Sequence, residues 1–179
     1  MNEPLIELYA YHKSGKFFAD LLGKAICFFT GSSFVHVALY FNGAIWESGV
    51  WMEGKKLFHG AKMTTGQRRG DMELRMKRAL TNLENEKLTI WLVSQVRERM
   101  PYNFLKLLVL MIVYPTRWLW RWLKYVPFQA DFWGEVCSEF VDKAFKEGAG
   151  IDLLPNRLED YTVPGDFLAS PLLDYEVIT

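Results

Sequence analysis

An Asn42-Gly43 pair between two apolar runs is the feature that most restricts how this chain can fold. The runs, residues 35–41 and 44–48, are rich in β-branched and aromatic side chains. Asn and Gly accept the positive φ angles that a two-residue turn between antiparallel strands requires. The sequence therefore predicts a tight β-hairpin with a defined register at this point.

The register of this hairpin gives two polar side chains a common face. With Asn-Gly as the turn, Leu39 lies opposite Trp46 and His36 lies opposite Gly49. Glu47 then points to the same side as His36 and lies diagonal to it, within reach of a long side chain. A carboxylate bound to one imidazole nitrogen leaves the other nitrogen to accept a proton from a thiol. The alternative interpretation is a structural histidine and an exposed strand carboxylate.

A cysteine opens a predicted helix a hundred residues further along the chain. Cys137 begins the segment Cys-Ser-Glu-Phe-Val, and helical spacing covers residues 136–147. A helix N-terminus favours an anion such as a thiolate, and its N–H groups can stabilise an oxyanion. Phe140, Val141 and Ala144 share the same stripe, so a buried core cysteine is the alternative.

The other periodic segments indicate the α+β class, because strands and helices are segregated along the chain rather than alternating. Strands are predicted at 6–12, 72–76 and 175–178, helices at 14–29 and 83–100, and loops with short strands at 49–70.

Size and composition are those of one ordinary domain, residues 1–179, with half of the side chains hydrophobic. Basic and acidic residues number 21 each, so the net charge is zero and nucleic-acid binding is not expected. Cys27 and Cys137 lack metal-ligand spacing, and no metal or cofactor is expected. Cys27 is predicted to be buried and inert. His12 has no evident partner, and His59 is expected to be solvated.

The neutral total conceals three blocks of unequal charge. Residues 1–54 carry −2, residues 55–126 carry +10, and residues 127–179 carry −8. The two large blocks can neutralise each other within one fold. Alternatively, the basic block offers a face to an anionic surface such as phospholipid headgroups.

The most hydrophobic stretch is too interrupted to cross a membrane. Its uninterrupted apolar core is residues 107–114, whereas a spanning helix needs roughly 20 apolar residues. We expect a hydrophobic helical insertion at 104–126, with peripheral membrane contact through 104–124 as the alternative, since Trp and Arg alternate there. The acidic start of the chain lacks the features of a secretory signal, so a cytoplasmic location is expected.

The order of these motifs resembles a known enzyme group. His-Val-Ala-Leu-Tyr at 36–40, the acid Glu47 and Cys-Ser-Glu-Phe-Val at 137–141 follow one another as in the circularly permuted papain-like cysteine hydrolases. These are relatives of the NlpC-type peptidases and include the YiiX-like proteins and the lecithin retinol acyltransferase-like enzymes. Pro-Tyr-Asn-Phe at 101–104 and Val-Pro-Gly-Asp-Phe at 163–167 are similar to the YiiX-like pattern.

The resemblance implies both a fold and a set of roles. The fold is a permuted papain-like domain in which a small antiparallel sheet packs against helices and the nucleophile lies at a helix N-terminus. Cys137 would be the nucleophile, His36 the base and Glu47 the orienting group. The amide of Cys137 would bind the oxyanion, with Tyr102 near the site.

Three functions follow from this interpretation. The favoured one is a thiol hydrolase acting on amides of peptides, including cell-wall (peptidoglycan-type) peptides. The second is a lipid acyltransferase or hydrolase at a membrane surface. The third is a catalytically inactive papain-like module that binds a partner through its aromatic surface.

Overall fold

A six-stranded antiparallel sheet packed against helices forms the framework of the chain, so the α+β class is confirmed. The structure, a computed structural model, describes residues 3–13, 17–53, 56–66, 70–103, 105–106, 135–155 and 162–177. The expected insertion at 104–126 lies outside this part of the chain, apart from residues 105–106.

The strands follow one another in space as β4-β3-β2-β1-β5-β6. They are β1 Leu5–Ala10, β2 Phe34–Phe41, β3 Ala44–Glu53, β4 Lys56–Thr65, β5 Met72–Met76 and β6 Leu173–Val177. The α-helices are α1 Phe17–Thr30, α2 Asn82–Arg97 and α3 Cys137–Lys143. A π-helical turn, Ala144–Ala149, continues α3, and a 3-10 helix occupies Pro164–Ala169.

The hairpin between β2 and β3 has the predicted register. Phe41 pairs with Ala44 and Leu39 pairs with Trp46. The turn residues Asn42 and Gly43 have φ angles of 52° and 77°, which are the left-handed values that this tight turn requires. The prediction from the Asn-Gly signal is therefore confirmed.

The expectation of loops and short strands at 49–70 is wrong. β3 and β4 pair over their whole lengths and form a second long hairpin. One glycine in this region, Gly60, lies where two backbone segments approach closely. Gly60 has a φ of 127°, and a side chain there would collide with the carbonyl of Met100, which accepts a 2.8 Å hydrogen bond from the amide of Ala61.

The helices and the sheet share one apolar core. α2 packs against the π-helical turn, and α3 packs against β2 and β3. The core takes Leu8 and Leu39 from the sheet, Leu88 from α2, and Phe140 and Phe145 from the chain that begins at α3. The helix predicted at 136–147 begins one residue later, at Cys137. It continues as a wider π turn, which ends at Gly150, a glycine in the left-handed conformation.

Ion pairs join the basic middle of the chain to its acidic end. Lys106 contacts Glu139 at 2.7 Å, and Lys77 contacts Asp174 at 3.7 Å. These contacts agree with the interpretation that the two charge blocks neutralise each other within the fold. Among the helices that the structure describes, each is too short or too polar to cross a membrane.

Candidate active site

The hairpin brings a histidine and a carboxylate together, as its register predicts. His36 lies on β2 and Glu47 on β3, just beyond the Leu39–Trp46 pair. The distance from His36 Nε2 to Glu47 Oε2 is 2.6 Å, a short hydrogen bond between partly buried groups. Glu47 therefore fixes the orientation of the imidazole ring and occupies one of its two nitrogens.

The side chain of Cys137 also interacts with the ring of His36. Cys137 is the first residue of α3, and its side chain and the His36 ring are in hydrogen-bonding contact. Since Glu47 occupies Nε2, Nδ1 is the nitrogen left for the sulfur. The structure thus brings the side chains of Cys137, His36 and Glu47 together at one place.

This chain of contacts holds His36 in its charged form. Burial by itself lowers the pKa of an imidazole. Negative charge at Cys137 and the hydrogen bonds to Cys137 and Glu47 outweigh this effect and raise the pKa of His36 from 6.5 to about 10. A charged imidazole ring between a carboxylate and a thiol is the arrangement found where a histidine activates a cysteine.

Glu47 is held in its ionised form by two cations. Burial raises the pKa of a carboxyl group, but hydrogen bonds and charge from His36 and Lys62 lower the pKa of Glu47 from 4.5 to about 2. The contact with Lys62 joins Nζ to Oε1 of Glu47 at 3.0 Å.

Cys137 is positioned by the residues that precede it. The backbone of Glu135 accepts a hydrogen bond from Ser48 on β3 at 3.0 Å and donates one to Pro101 at 3.0 Å. Ser138, the next residue of the helix, donates to the carbonyl of Thr162 at 2.5 Å. The bond from Ser48 attaches the start of α3 to β3, the strand that carries Glu47.

Tyr102 lies near the sulfur, as the resemblance implies. It forms an isolated parallel bridge with Glu135, two residues before Cys137. Burial, and then negative charge at Cys137, raise the pKa of its phenol above the usual 10. Tyr102 therefore keeps its proton and remains a hydrogen-bond donor beside Cys137.

Two residues beside the His–Glu pair are absent from the sequence-based site. Lys62 lies opposite Glu47 in the β3–β4 ladder, and the ring of Tyr9, on β1, lies 5.5 Å from that of His36. Lys62 could have been found from the pairing register of a second hairpin, β3 with β4. Because loops were expected at 49–70, that register was not considered. Tyr9 depends on the pairing of β1 with β2, a contact between strands that are separated by a helix.

A buried group of charges adjoins the start of α3. Lys106 binds Glu139 at 2.7 Å, and Lys143 binds both Glu139, at 3.1 Å, and Glu135, at 3.3 Å. Burial is the main cause that raises the pKa of Glu135 to about 7; Lys143 opposes it and Glu139 adds to it. Lys106 and Lys143 together offset the charge of two buried carboxylates close to Cys137.

The remaining candidates lie apart from this site. His12 has a partner that the sequence did not reveal, Asp71, at 2.7 Å, and His59 is exposed as expected. The prediction that Cys27 is buried is wrong: it is half-buried, on a helix whose neighbouring side chains Phe28 and Phe29 are exposed. Among the residues placed by the structure, no three His, Cys, Asp or Glu side chains form a group suited to a metal ion.

Comparison of the chain with protein-family models, curated proteins and solved structures found no match.

The His36–Glu47 pair should make stability depend on pH in a defined window. The pKa of His36 is raised from 6.5 to about 10. Its contribution to the free energy of unfolding is therefore fully present below about pH 6.5 and is lost as the pH rises toward 10. The pKa of Glu47 is lowered from 4.5 to about 2. Its contribution to the free energy of unfolding is therefore fully present above about pH 4.5 and is lost as the pH falls toward 2.

Denaturant unfolding of the wild type and of Glu47→Gln tests this window. The difference in unfolding free energy between them should be largest between about pH 4.5 and 6.5 and smaller on both sides. A difference in unfolding free energy that stays constant across the pH range would contradict the shifted pKa values of His36 and Glu47.

Proposed function

We propose that the protein is a cysteine hydrolase of the permuted papain-like kind that cleaves amide bonds of peptides or cell-wall peptides. One observation carries the proposal: His36 is bonded to Glu47 through one nitrogen and contacts Cys137 at a helix N-terminus. Nucleophile, base and orienting group are the three parts that acyl transfer by a thiol requires.

In the first half of the reaction, Sγ of Cys137 attacks the carbonyl carbon of the amide. An S–C bond forms and the electron pair of the C=O bond moves to oxygen. Collapse of this intermediate breaks the C–N bond, and the imidazolium of His36 gives its proton to the leaving amine. The product is an acyl-enzyme, a thioester on Cys137.

In the second half, neutral His36 takes a proton from water. The hydroxide attacks the thioester carbonyl, the C–S bond breaks, and a carboxylic acid leaves. Glu47 stabilises the imidazolium, which is present at the start of the first half and forms again in the second, and keeps its ring in the plane needed for both transfers.

Two donors suit the oxyanion. The first is the backbone N–H of Cys137 at the start of α3, where Val136 supplies no side-chain cap. The second is the phenol of Tyr102, which the raised pKa keeps protonated. Both lie at the end of the helix where negative charge on the substrate would develop.

One observation favours the second candidate, a lipid acyltransferase or hydrolase at a membrane surface. Among the α1 side chains that the structure describes, those of Leu21, Leu22, Phe28 and Phe29 are apolar and exposed. An exposed apolar helix face of this kind is typical of interfacial helices. Turnover of phospholipid vesicles, rather than of peptide amides, would favour this candidate.

Labelling with a thiol-directed acyl probe tests the proposed nucleophile. We expect the probe to form one adduct, on Cys137, because its thiol contacts the imidazolium of His36. Cys137→Ala should abolish labelling, while Cys27→Ala, the matched control at the other cysteine, should leave it unchanged.

Intact-protein and peptide mass spectrometry locates the adduct. A label on Cys27 would contradict the assignment. Labelling of Cys137 that is indifferent to replacement of His36 would favour the inactive binding module instead.

A further inference from the structure

The carboxylate of Glu47 is held from two sides. Its Oε2 binds His36 on β2 at 2.6 Å, and its Oε1 binds Lys62 on β4 at 3.0 Å. Each oxygen thus has one cationic partner, and the two partners lie on strands that flank β3. Rotation of the carboxylate about its terminal bond would break both contacts together.

The register of β3 and β4 makes the contact with Lys62 a feature of the fold. Glu47 and Lys62 are directly opposite each other in the ladder, the position in which cross-strand side chains meet. The Lys62 and Glu47 side chains are 28% and 19% exposed, so water competes only in part for the pair.

Charges alternate along the connected groups. In the active state Cys137 is negative, His36 positive, Glu47 negative and Lys62 positive, so the row is neutral as a whole. Without Lys62 the partly buried site would hold an excess negative charge, and Glu47 would have only His36 to orient it.

We propose that Lys62 is a positioning residue of the catalytic site, which holds the Glu47 carboxylate in the orientation that aligns the His36 ring with Cys137. The inference rests on the proposed function and adds a fourth side chain to its machinery. The lowering of the Glu47 pKa by Lys62 as well as by His36 agrees with this role.

A positioning role and a direct field effect predict opposite shifts at His36. Cys137, Glu47 and the ring of Tyr9 are the groups that face His36, and Lys62 reaches it through Glu47. Removal of a nearby cation would by itself raise the pKa of His36. Loss of an aligned Glu47 hydrogen bond would lower it.

The experiment compares the wild type with Lys62→Met, Lys62→Arg and Glu47→Gln. Lys77→Met is the matched control, a lysine paired with Asp174 on the exposed β5–β6 edge. NMR titration of the His36 ring, assigned with His36→Gln, gives the pKa without any substrate. Alkylation of Cys137 by iodoacetamide at pH 7 gives the reactivity of the thiol.

In Lys62→Met the pKa of His36 should fall, as it should in Glu47→Gln. Alkylation of Cys137 should slow about tenfold, a smaller effect than the loss of rate of about 100-fold that a displacement of 1 Å can cause. Lys62→Arg should restore both readouts, and Lys77→Met should leave them unchanged. In the Glu47→Gln background, Lys62→Met should have no further effect.

A rise or no change in the pKa of His36 in Lys62→Met would overturn the inference, as would a full effect in the Glu47→Gln background. Alkylation that depends on His36 and Glu47 but not on Lys62 would overturn the inference alone. Alkylation that is independent of His36 would overturn the proposed function.

Discussion

Replacing His36 by Ala is expected to lower the rate of acyl-enzyme formation by roughly 10⁶-fold, as removal of the histidine of a catalytic triad does elsewhere. In the proposed mechanism the imidazolium is the partner of the Cys137 thiolate and the source of the proton for the leaving amine. Its removal leaves Cys137 without a base and Glu47 without its hydrogen-bond donor.

Single-turnover kinetics with an activated amide or ester measures this loss. His36→Gln keeps much of the side-chain volume and should be similarly inactive, which separates chemistry from packing. His12→Ala is the control, since His12 also pairs with a carboxylate, that of Asp71, but on the exposed surface. A loss of less than tenfold in both His36 variants would contradict the assigned base.

Replacing Lys106 by Met is expected to destabilise the fold by about 3–5 kcal/mol, the cost of leaving a buried charge without its partner. Lys106 and Glu139 form a 2.7 Å pair with side chains only 6% and 2% exposed. Without Lys106, Glu139 and Glu135 would share one ammonium group, that of Lys143. The start of α3 would then carry an uncompensated charge in a medium of low dielectric.

Denaturant unfolding at pH 7 measures this effect. Glu139→Gln in the Lys106→Met background should recover part of the loss, because it removes the charge left without a partner. Lys146→Met is the control, since Lys146 reaches Asp152 at 4.0 Å near the surface and should cost less than about 1 kcal/mol. A cost below 1 kcal/mol for Lys106→Met would contradict the account of this charge group.

The His36 and Lys106 variants test different features of the same region. The His36 variants test the proposed chemistry, and Lys106→Met tests the buried charges beside the start of α3. Because Lys106 contacts Glu139 rather than the His–Cys pair, its removal should reduce the folded population more than the reactivity of the folded molecule.

Local pattern was sufficient for the hairpin half of the site. The Asn42-Gly43 turn fixes the register, and strand alternation then gives His36 and Glu47 a common face. The start of α3 at Cys137 followed from helical spacing in the same way. Turn chemistry and periodicity act over a few residues, so they can be recognised in the sequence alone.

The approach of Cys137 to His36 could not be derived from local pattern. It depends on Ser48 and Pro101 binding the backbone of Glu135, which are contacts between segments far apart in the chain. The order of motifs suggested the approach through a resemblance, but side-chain distances depend on packing.

The sequence by itself determined the hairpin, its register and the α+β class, because these depend on short-range conformational preferences and on the alternation of apolar residues. The tertiary structure alone decided that β4 places Lys62 on Glu47 and that Lys106 and Lys143 offset the buried carboxylates beside α3. Burial and charge pairing are properties of the assembled fold, since each depends on which distant segments exclude water from the same place.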